Sequence, residues 1–383
     1  MRVVRLIIGA LGCLGATSFA QDRDFGRAMS FDGVQDEITS FADFDTKRLT
    51  VEAWVNVTYM SNGSCGVAAW GRNSDAAWEL AVTERHVDFA INWNKGAERR
   101  MRAKGVFHTG SWIHLAATYD GRFAKLYVNG ELAGEEEFAT RIEPAGSGAR
   151  FALNNQFPGV NEFGFAELDE VRVWNVARSA AEIRCTMHRE IDPNSNGLMA
   201  YYRFDDTELP QIVVDHTKYS RHAYMGYSER VGSDDPTAVV STAPFQCLSL
   251  VKQAEPKIAG VSCGTEFEFE VCGESVITYQ WFKGDEIITG ANASKLSIDA
   301  VTPADQGTYT CVAFGSCGIL MSDIVRLDVC VADFDCSGGV DADDTIAFQS
   351  AWASGEPRAD LDGSGEFDAG DIVAFFERLD QGC

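Results

Sequence analysis

Two stretches near the end of the chain carry oxygen-bearing side chains at a spacing that suits a metal ion. Residues 333–348 read DFDCSGGVDADDTIAF and residues 360–375 read DLDGSGEFDAGDIVAF, identical at 9 of 16 aligned positions. Each places oxygens at loop positions 1, 3, 5, 9 and 12: Asp333, Asp335, Ser337, Asp341 and Asp344, then Asp360, Asp362, Ser364, Asp368 and Asp371. With the position 7 carbonyl of Gly339 or Glu366, each loop offers the set of roughly 6 to 8 oxygens that calcium takes. Gly338 and Gly365 at position 6 permit the sharp turn that a Cβ would resist. After each loop comes an apolar stripe at helical spacing: Ile346, Ala347, Phe348, Ala351 and Trp352, then Ile372, Val373, Phe375, Phe376 and Leu379. A solvated acidic tail has no reason to keep glycine at 6, Val340 or Phe367 at 8 and a helical stripe twice. The repeat therefore predicts two calcium loops, with calcium as the cofactor.

Position 12 is Asp rather than the longer Glu, and no helical pattern precedes the first loop. A doubled loop-helix unit of this kind resembles a type I dockerin domain over residues 330–383. The resemblance implies a small α-helical module that folds on calcium and attaches to a cohesin-like or other docking module. Positions 10 and 11, often at that contact, are Ala342 and Asp343, then Ala369 and Gly370. They are not the Ser-Thr pair of well-studied cellulosomal members, so the partner's identity does not carry over. The closing Gly382-Cys383 resembles the tails of some bacterial surface proteins.

Several features say where such a module works. The start, MRVVRLIIGALGCLGATSFA, has Arg2 and Arg5, an apolar run from Leu6 to Leu14 and a small-x-small site at Ser18-Phe19-Ala20. It reads as a secretory signal peptide over residues 1–20. A lipoprotein signal ending at Cys13 is the alternative. No other segment approaches the roughly 18 apolar residues of a membrane span. Two of the 32 basic residues lie in the leader, leaving 30 against 57 acidic, a net charge of −27. Such a chain repels nucleic acid and anionic membranes. Eleven cysteines, ten beyond the leader, agree with export. The expected location is secreted or at the cell surface, in a bacterium.

Residues 256–329 read as short alternating strands, among them FEFEVC (267–272), YQWF around Trp281, KLSI (295–298) and DQGTYTC (305–311). Cys272, Trp281 and Cys311 follow the order of an immunoglobulin core, with Tyr309 at the tyrosine-corner position. The segment resembles I-set immunoglobulin-like domains. That resemblance implies a Cys272–Cys311 bridge, a second pair Cys263 and Cys317 just outside it, and a spacer or partner-binding role.

Residues 21–250 carry many short strands between glycine or polar turns: LTVEAWVNV, AWELAVTE, VDFAINW, SWIHLAATYDG, FAKLYVNGELAG and AELDEVRVW all alternate. This predicts an antiparallel β-sandwich jelly roll. Its core candidates are Phe31, Val51, Ala53, Trp54, Val55, Trp112, Ile113, Leu115, Leu126, Val128, Val171 and Trp174. FDGVQDEI, WIHLAATYDGRFAKLYVNGELAG and GFAELDEVRVWNVARSAAEI resemble the laminin-G-like, concanavalin A-like jelly roll shared with pentraxins. The chain as a whole reads as mainly β and multidomain.

Glycoside hydrolases of this fold set carboxylates on one strand. Glu167 and Asp169 share a strand face, but Val171 and Arg172 stand where a third carboxylate would be. An arginine there would also hold its neighbours ionised, the wrong state for an acid catalyst. No other catalytic motif is visible, so the chain reads as a non-enzyme. Pentraxins hold calcium with a Glu-Gln-Asp run, and the matching residues are the amides Asn154, Asn155 and Gln156. A different calcium site could join Asp32 or Asp36 to Asp169. Trp70, Trp78 and Trp93 are candidates for stacking on sugar rings. Cys185 with Cys247 and Cys330 with Cys383 could be further pairs, leaving Cys65 and Cys336. The expected function is glycan binding by the jelly roll with attachment through the calcium-dependent tail. Adhesion between proteins, and a divergent polysaccharide hydrolase or lyase, are the alternatives.

Overall fold

The computed structural model describes residues 26–60, 63–72, 75–93, 97–104, 108–146, 148–155, 163–206, 211–228, 230–244, 248–273, 277–315 and 318–382. The leader with Cys13, and Gln156, Cys247, Cys317 and Cys383, lie outside the described residues. Two compact units emerge, Asp22–Gln246 and Cys247–Cys383. The described residues are mainly antiparallel β. Three short α-helices accompany them: α1 (Ala180–Thr186), α2 (Ala342–Ser354) and α3 (Ala369–Gln381). No described helix is long and apolar enough to cross a membrane.

The first unit is a sandwich of two eight-stranded sheets. One sheet runs in the order Glu131–Glu137, Phe123–Val128, Ile113–Tyr119, Leu49–Met60, Gly164–Trp174, Arg27–Asp32 and Thr237–Val240, with Leu198–Tyr202 also beside Gly164–Trp174. The other runs Ile212–Val213, Ala223–Met225, Ile38–Ser40, Arg150–Leu153, Ser64–Arg72, Asp75–Thr83, His86–Trp93 and Arg99–Lys104. Period-2 alternation along Leu49–Met60 sends Val51, Ala53, Val55 and Val57 into the core between the sheets, where Phe31, Leu115, Leu126 and Val171 join them. Each valine, leucine or phenylalanine among them, fully buried, contributes about 1.5–3 kcal/mol. The Asn129-Gly130 hairpin turn has φ of 49° and 77°, the paired left-handed conformations of a two-residue loop.

Trp54 and Trp174 are buried too, but on the opposite face of their sheet. That face is covered by α1 and the chain after it: Trp54 Nε1 donates to the Met187 carbonyl at 2.5 Å. A Ser179–Glu182 capping box starts α1, a device whose loss costs about 1 kcal/mol.

The second unit opens with another sandwich. A six-stranded sheet runs Lys257–Gly260, Val325–Cys330, Gly307–Gly315, Thr278–Lys283 and Glu286–Ile287, with Gly318–Met321 also beside Gly307–Gly315. Facing it are the pairs Leu248–Lys252 with Glu270–Gly273, and Thr265–Glu268 with Lys295–Ile298. Trp281 is fully buried and donates to the Ala293 carbonyl at 3.0 Å. Tyr309 donates to the Asp305 carbonyl at 2.7 Å.

The cysteines depart from the expected bridges. Cys311 is a free thiol in the core, pushed up to about 12 by burial, and so is not bonded to Cys272. The reason lies in strand parity. Phe267, Phe269 and Val271 point inward, which turns Cys272 to the other face. Phe267 fills the space instead, with its ring 6.1 Å from Trp281 and 5.0 Å from Tyr309. Cys263 is bonded to Cys336, not to Cys317. Cys185, Cys272 and Cys330 are also disulfide-bonded.

The last segment packs two loop-helix repeats around a cluster of Phe334, Phe348 and Phe375, with the last two rings stacked 4.2 Å apart. This segment and the second sandwich belong to the same compact unit.

Candidate functional site

Both acidic loops are closed by their position 12 aspartate. Asp344 Oδ1 accepts from the Phe334 N–H at 2.7 Å and Asp335 N–H at 3.1 Å, and Oδ2 from Asp341 N–H at 2.8 Å. Asp371 repeats the arrangement with Leu361 at 2.8 Å, Asp362 at 3.4 Å and Asp368 at 2.9 Å. Position 9 in each loop, Asp341 or Asp368, also caps the following helix. Carboxylate oxygens of Asp333, Asp335 and Asp344 lie within 4.8 Å of one another, as do those of Asp360, Asp362 and Asp371. A third group joins Asp335 and Asp341 to Asp343, a residue the loop pattern had not marked as a ligand. Gly338 and Gly365 have φ of 88° and 83°, the left-handed turn that position 6 demands. Burial pushes the Asp333 carboxyl up, with the nearby charges of Asp344 and Asp335 adding to it. The donor set is all hard oxygen in a closed loop, which fits calcium.

The other proposed metal group does not assemble. Asp32 stands opposite Phe165 in the strand register, so Asp169 lies four residues along, about 13 Å away at 3.3 Å per residue. Asp169 is fully buried and accepts from the Ser241 hydroxyl. Asp36 instead faces Asp32, Asp234 and Asp235, and burial raises its carboxyl to about 6.

The strand carboxylates Glu167 and Asp169 form no open catalytic pair: Glu167 is half-buried and accepts from Asn56 Nδ2 at 3.3 Å, whereas Asp169 is fully buried. A bulge between Asp169 and Arg172, with Glu170 at φ of 51°, turns Glu170 to the face that carries Arg172 and Tyr201. Glu170 is buried against Arg172 at 2.5 Å and the Tyr201 hydroxyl. The arginine does not keep Asp169 ionised as its sequence position implied. Burial, followed by the charge of Glu170, pushes that carboxyl well up. Beside them, Glu52 accepts from Trp174 Nε1 at 2.9 Å and Arg178 Nη1 at 2.7 Å, with the Arg178 guanidinium 4.3 Å from the Trp174 ring. Burial alone would raise Glu52, but Arg178 and Arg172 hold it below its usual range. Burial drives the adjoining His114 down to about 3. This network ties α1 to the sheet.

Nor are the tryptophans a sugar platform. Trp70 and Trp78 are core residues, and Trp70 Nε1 donates to Asp45 at 2.8 Å. Trp93 is half-buried beneath Arg100, 3.6 Å from its ring. The alternation of their strands, which buries large apolar side chains by default, had this answer in it.

A different group is open. Phe41 is 56% exposed and Tyr227 55% exposed, with ring centroids 6.3 Å apart and edge to face. The Arg150 guanidinium lies 4.6 Å from the Tyr227 ring and donates to Glu37 at 3.4 Å. Asn155 donates to the other Glu37 oxygen at 2.5 Å. Arg150 and Asn155 are 4% and 2% exposed, yet Arg150 Nε and Asn155 Oδ1 have no hydrogen-bond partner among the described residues. A donor, an acceptor and two aromatic faces therefore lie together beside the strands Ala223–Met225, Ile38–Ser40 and Arg150–Leu153 of the second sheet. The sequence signal was there in SFADFD and MGYSE, where a large aromatic sits in a polar turn outside any strand alternation.

Comparison with known proteins bears on the first unit. Residues 31–184 match the family model described as "Concanavalin A-like lectin/glucanases superfamily". The first unit is a concanavalin A-like jelly roll. That fold family includes both lectins and glucanases. Pappalysin-1 from Mus musculus is 35% identical over 113 residues, which are 27% of this chain and 6% of that protein. Human pappalysin-1 is 34% identical over 86 residues, 20% of this chain and 5% of that protein. The chain thus spans only a small fraction of the length of these curated relatives. Among solved structures, a protein assigned as carbohydrate binding from Bacteroides ovatus ATCC 8483 matches with a TM-score of 0.45 and 22% identity, covering 58% of this chain and 61% of that one. A SAP-like pentraxin from Limulus polyphemus matches with a TM-score of 0.36 and 12% identity, covering 60% of this chain and 98% of that one.

Proposed function

We propose that this is a secreted, non-catalytic modular protein that binds glycan on its jelly roll and attaches elsewhere through its calcium loops. The observation that carries the glycan reading is the Phe41–Tyr227 pair beside Arg150, Glu37 and Asn155. An aromatic face suits the apolar face of a sugar ring, and planar polar groups next to it suit vicinal hydroxyls. Buried donors and acceptors without partners are costly, at about 1–3 kcal/mol each, unless a ligand or water completes them. The sealed state of Asp169 and Glu170 supports a binding role over a hydrolytic one.

The attachment reading rests on the two loops and on the surface beside them. Thr345, Phe348, Gln349, Trp352, Ile372 and Phe376 line a groove of about 320 Å³ between α2 and α3. Ile346, Val373 and Phe376 are exposed around it. This apolar surface suits a folded docking module of the cohesin kind, with calcium holding the loops that orient both helices.

The test is a polysaccharide and glycan array with the full chain, run in calcium and again in chelator. Because the described residues of the aromatic site form no cluster of metal ligands, binding that persists in chelator supports this reading. Binding that chelator abolishes would place the sugar site on a metal instead. No binding to any glycan would remove the sugar reading and favour adhesion between proteins.

A further inference from the structure

The two acidic loops share a pattern but not a setting. The first begins three residues after the strand Val325–Cys330 and is cross-linked to the second sandwich by Cys263–Cys336. Cys336 is loop position 4, and its counterpart in the second loop is Gly363. Both adopt the left-handed conformation, with φ of 66° and 72°. Glycine takes that conformation freely, whereas a residue with a Cβ resists it. The Asp333 backbone also lies directly on the sandwich: a Cβ added to Gly260 would stand 2.0 Å from its carbonyl oxygen. The side chain of Asp333 is buried, with its oxygens accepting from Ser337 N–H at 3.0 Å and Gly338 N–H at 3.1 Å. Its counterpart Asp360 is only half-buried, accepts from Gly365 N–H at 2.9 Å, and has an Oδ1 with no partner among the described residues. The second loop's position 4 is a glycine and offers no comparable cross-link.

We infer that the two loops are unequal calcium sites, because the sandwich holds the first loop in its closed shape through Cys263–Cys336. This rests on the calcium reading proposed above. Ordering a loop around an ion costs conformational entropy, and a loop already held in place loses less on binding. The cross-link ties loop position 4 to the second sandwich, which restricts the conformations open to the empty first loop. The first loop then fills at lower calcium and the second at higher calcium. Attachment that needs both helices would follow the occupancy of the second.

The test is calcium titration calorimetry on the full chain with one loop disabled at a time. Asp371→Asn leaves the first loop and Asp344→Asn leaves the second. With the disulfide intact, the first loop should bind about ten-fold more tightly than the second. Adding Cys263→Ser and Cys336→Ser should weaken the first loop by about ten-fold and leave the second within about two-fold. Equal affinities, or a loss shared equally by both loops, would overturn the inference while leaving calcium binding in place. No calcium bound by the unmutated chain would instead overturn the calcium reading, and this inference with it. In case the serine pair prevents folding, the Asp371→Asn chain is also titrated carrying Cys263→Ala and Cys336→Gly, which leave the bonds of Cys185, Cys272 and Cys330 in place. Hydrogen exchange in the strand Gly307–Gly315 then reports whether the sandwich stays folded. Weakened calcium binding with that strand still protected supports the inference. Weakening only when the strand opens contradicts it.

Discussion

The jelly roll contains two clusters of the same chemistry with opposite outcomes. In one, Glu52 accepts from Arg178, whose guanidinium lies over Trp174. In the other, Glu37 accepts from Arg150, whose guanidinium lies over Tyr227. Both arginines are buried, and what differs is the aromatic: Trp174 is 4% exposed and Tyr227 55%. The first cluster lies beneath α1, where Arg178 also donates to the Glu182 carbonyl and Arg172 to the Thr186 carbonyl. The second has an open aromatic face and two buried polar atoms without partners among the described residues. A carboxylate, an arginine and an aromatic ring thus make a staple where a helix covers them and a candidate site where the ring stays open.

The contrast is sharpest where a partner is removed. Glu52→Ala leaves Arg172 and Arg178 facing each other with less compensation, and should cost the first unit about 3–5 kcal/mol. Thermal melting checks it, and a loss under about 1 kcal/mol would contradict the staple. Arg150→Lys keeps the charge but loses the planar stack and fork. Its effect should fall on glycan affinity, about five-fold, with little change in melting. An equal fall in stability would make the open cluster a second staple.

A smaller effect comes from Asp36, near the open cluster. Burial, with the charges of Asp32, Asp235 and Asp234, raises its carboxyl from 3.8 to about 6 against the opposing N–H bond from Asp32. The folded state therefore holds the extra proton, and this contribution to stability is lost as pH rises through 6. Asp36→Asn should raise stability at pH 7 by about 1 kcal/mol and flatten the slope between about pH 4 and 6. Melting temperatures across that range measure it, and an unchanged slope would show that Asp36 titrates normally.

Much of the architecture was legible because it follows from period. Alternation along LTVEAWVNV, the Asn129-Gly130 turn and the doubled acidic loop each state a local geometry directly. The bridges were less legible because the order Cys272, Trp281, Cys311 suggests a bond that strand parity forbids. FEFEV had already assigned Phe267, Phe269 and Val271 to the core, which leaves Cys272 on the wrong face for Cys311. Trp70 and Trp78 fell to the same rule. The Cys263–Cys336 bond crosses between two segments that sequence reading divides at residue 330, and no local pattern reports such a contact. The open cluster is drawn from residues 37, 41, 150, 155 and 227, brought together only by sheet order. Its one local trace was an aromatic residue placed in a polar turn.

The most direct test of this contrast is calorimetric titration of an array-identified glycan into the full chain and its Tyr227→Ala variant, with melting curves recorded for both. The account predicts a loss of at least about ten-fold in affinity, equivalent to 1.4 kcal/mol, at an unchanged melting temperature. Unchanged affinity in a folded Tyr227→Ala chain would contradict it, and the open cluster would then not be the sugar site.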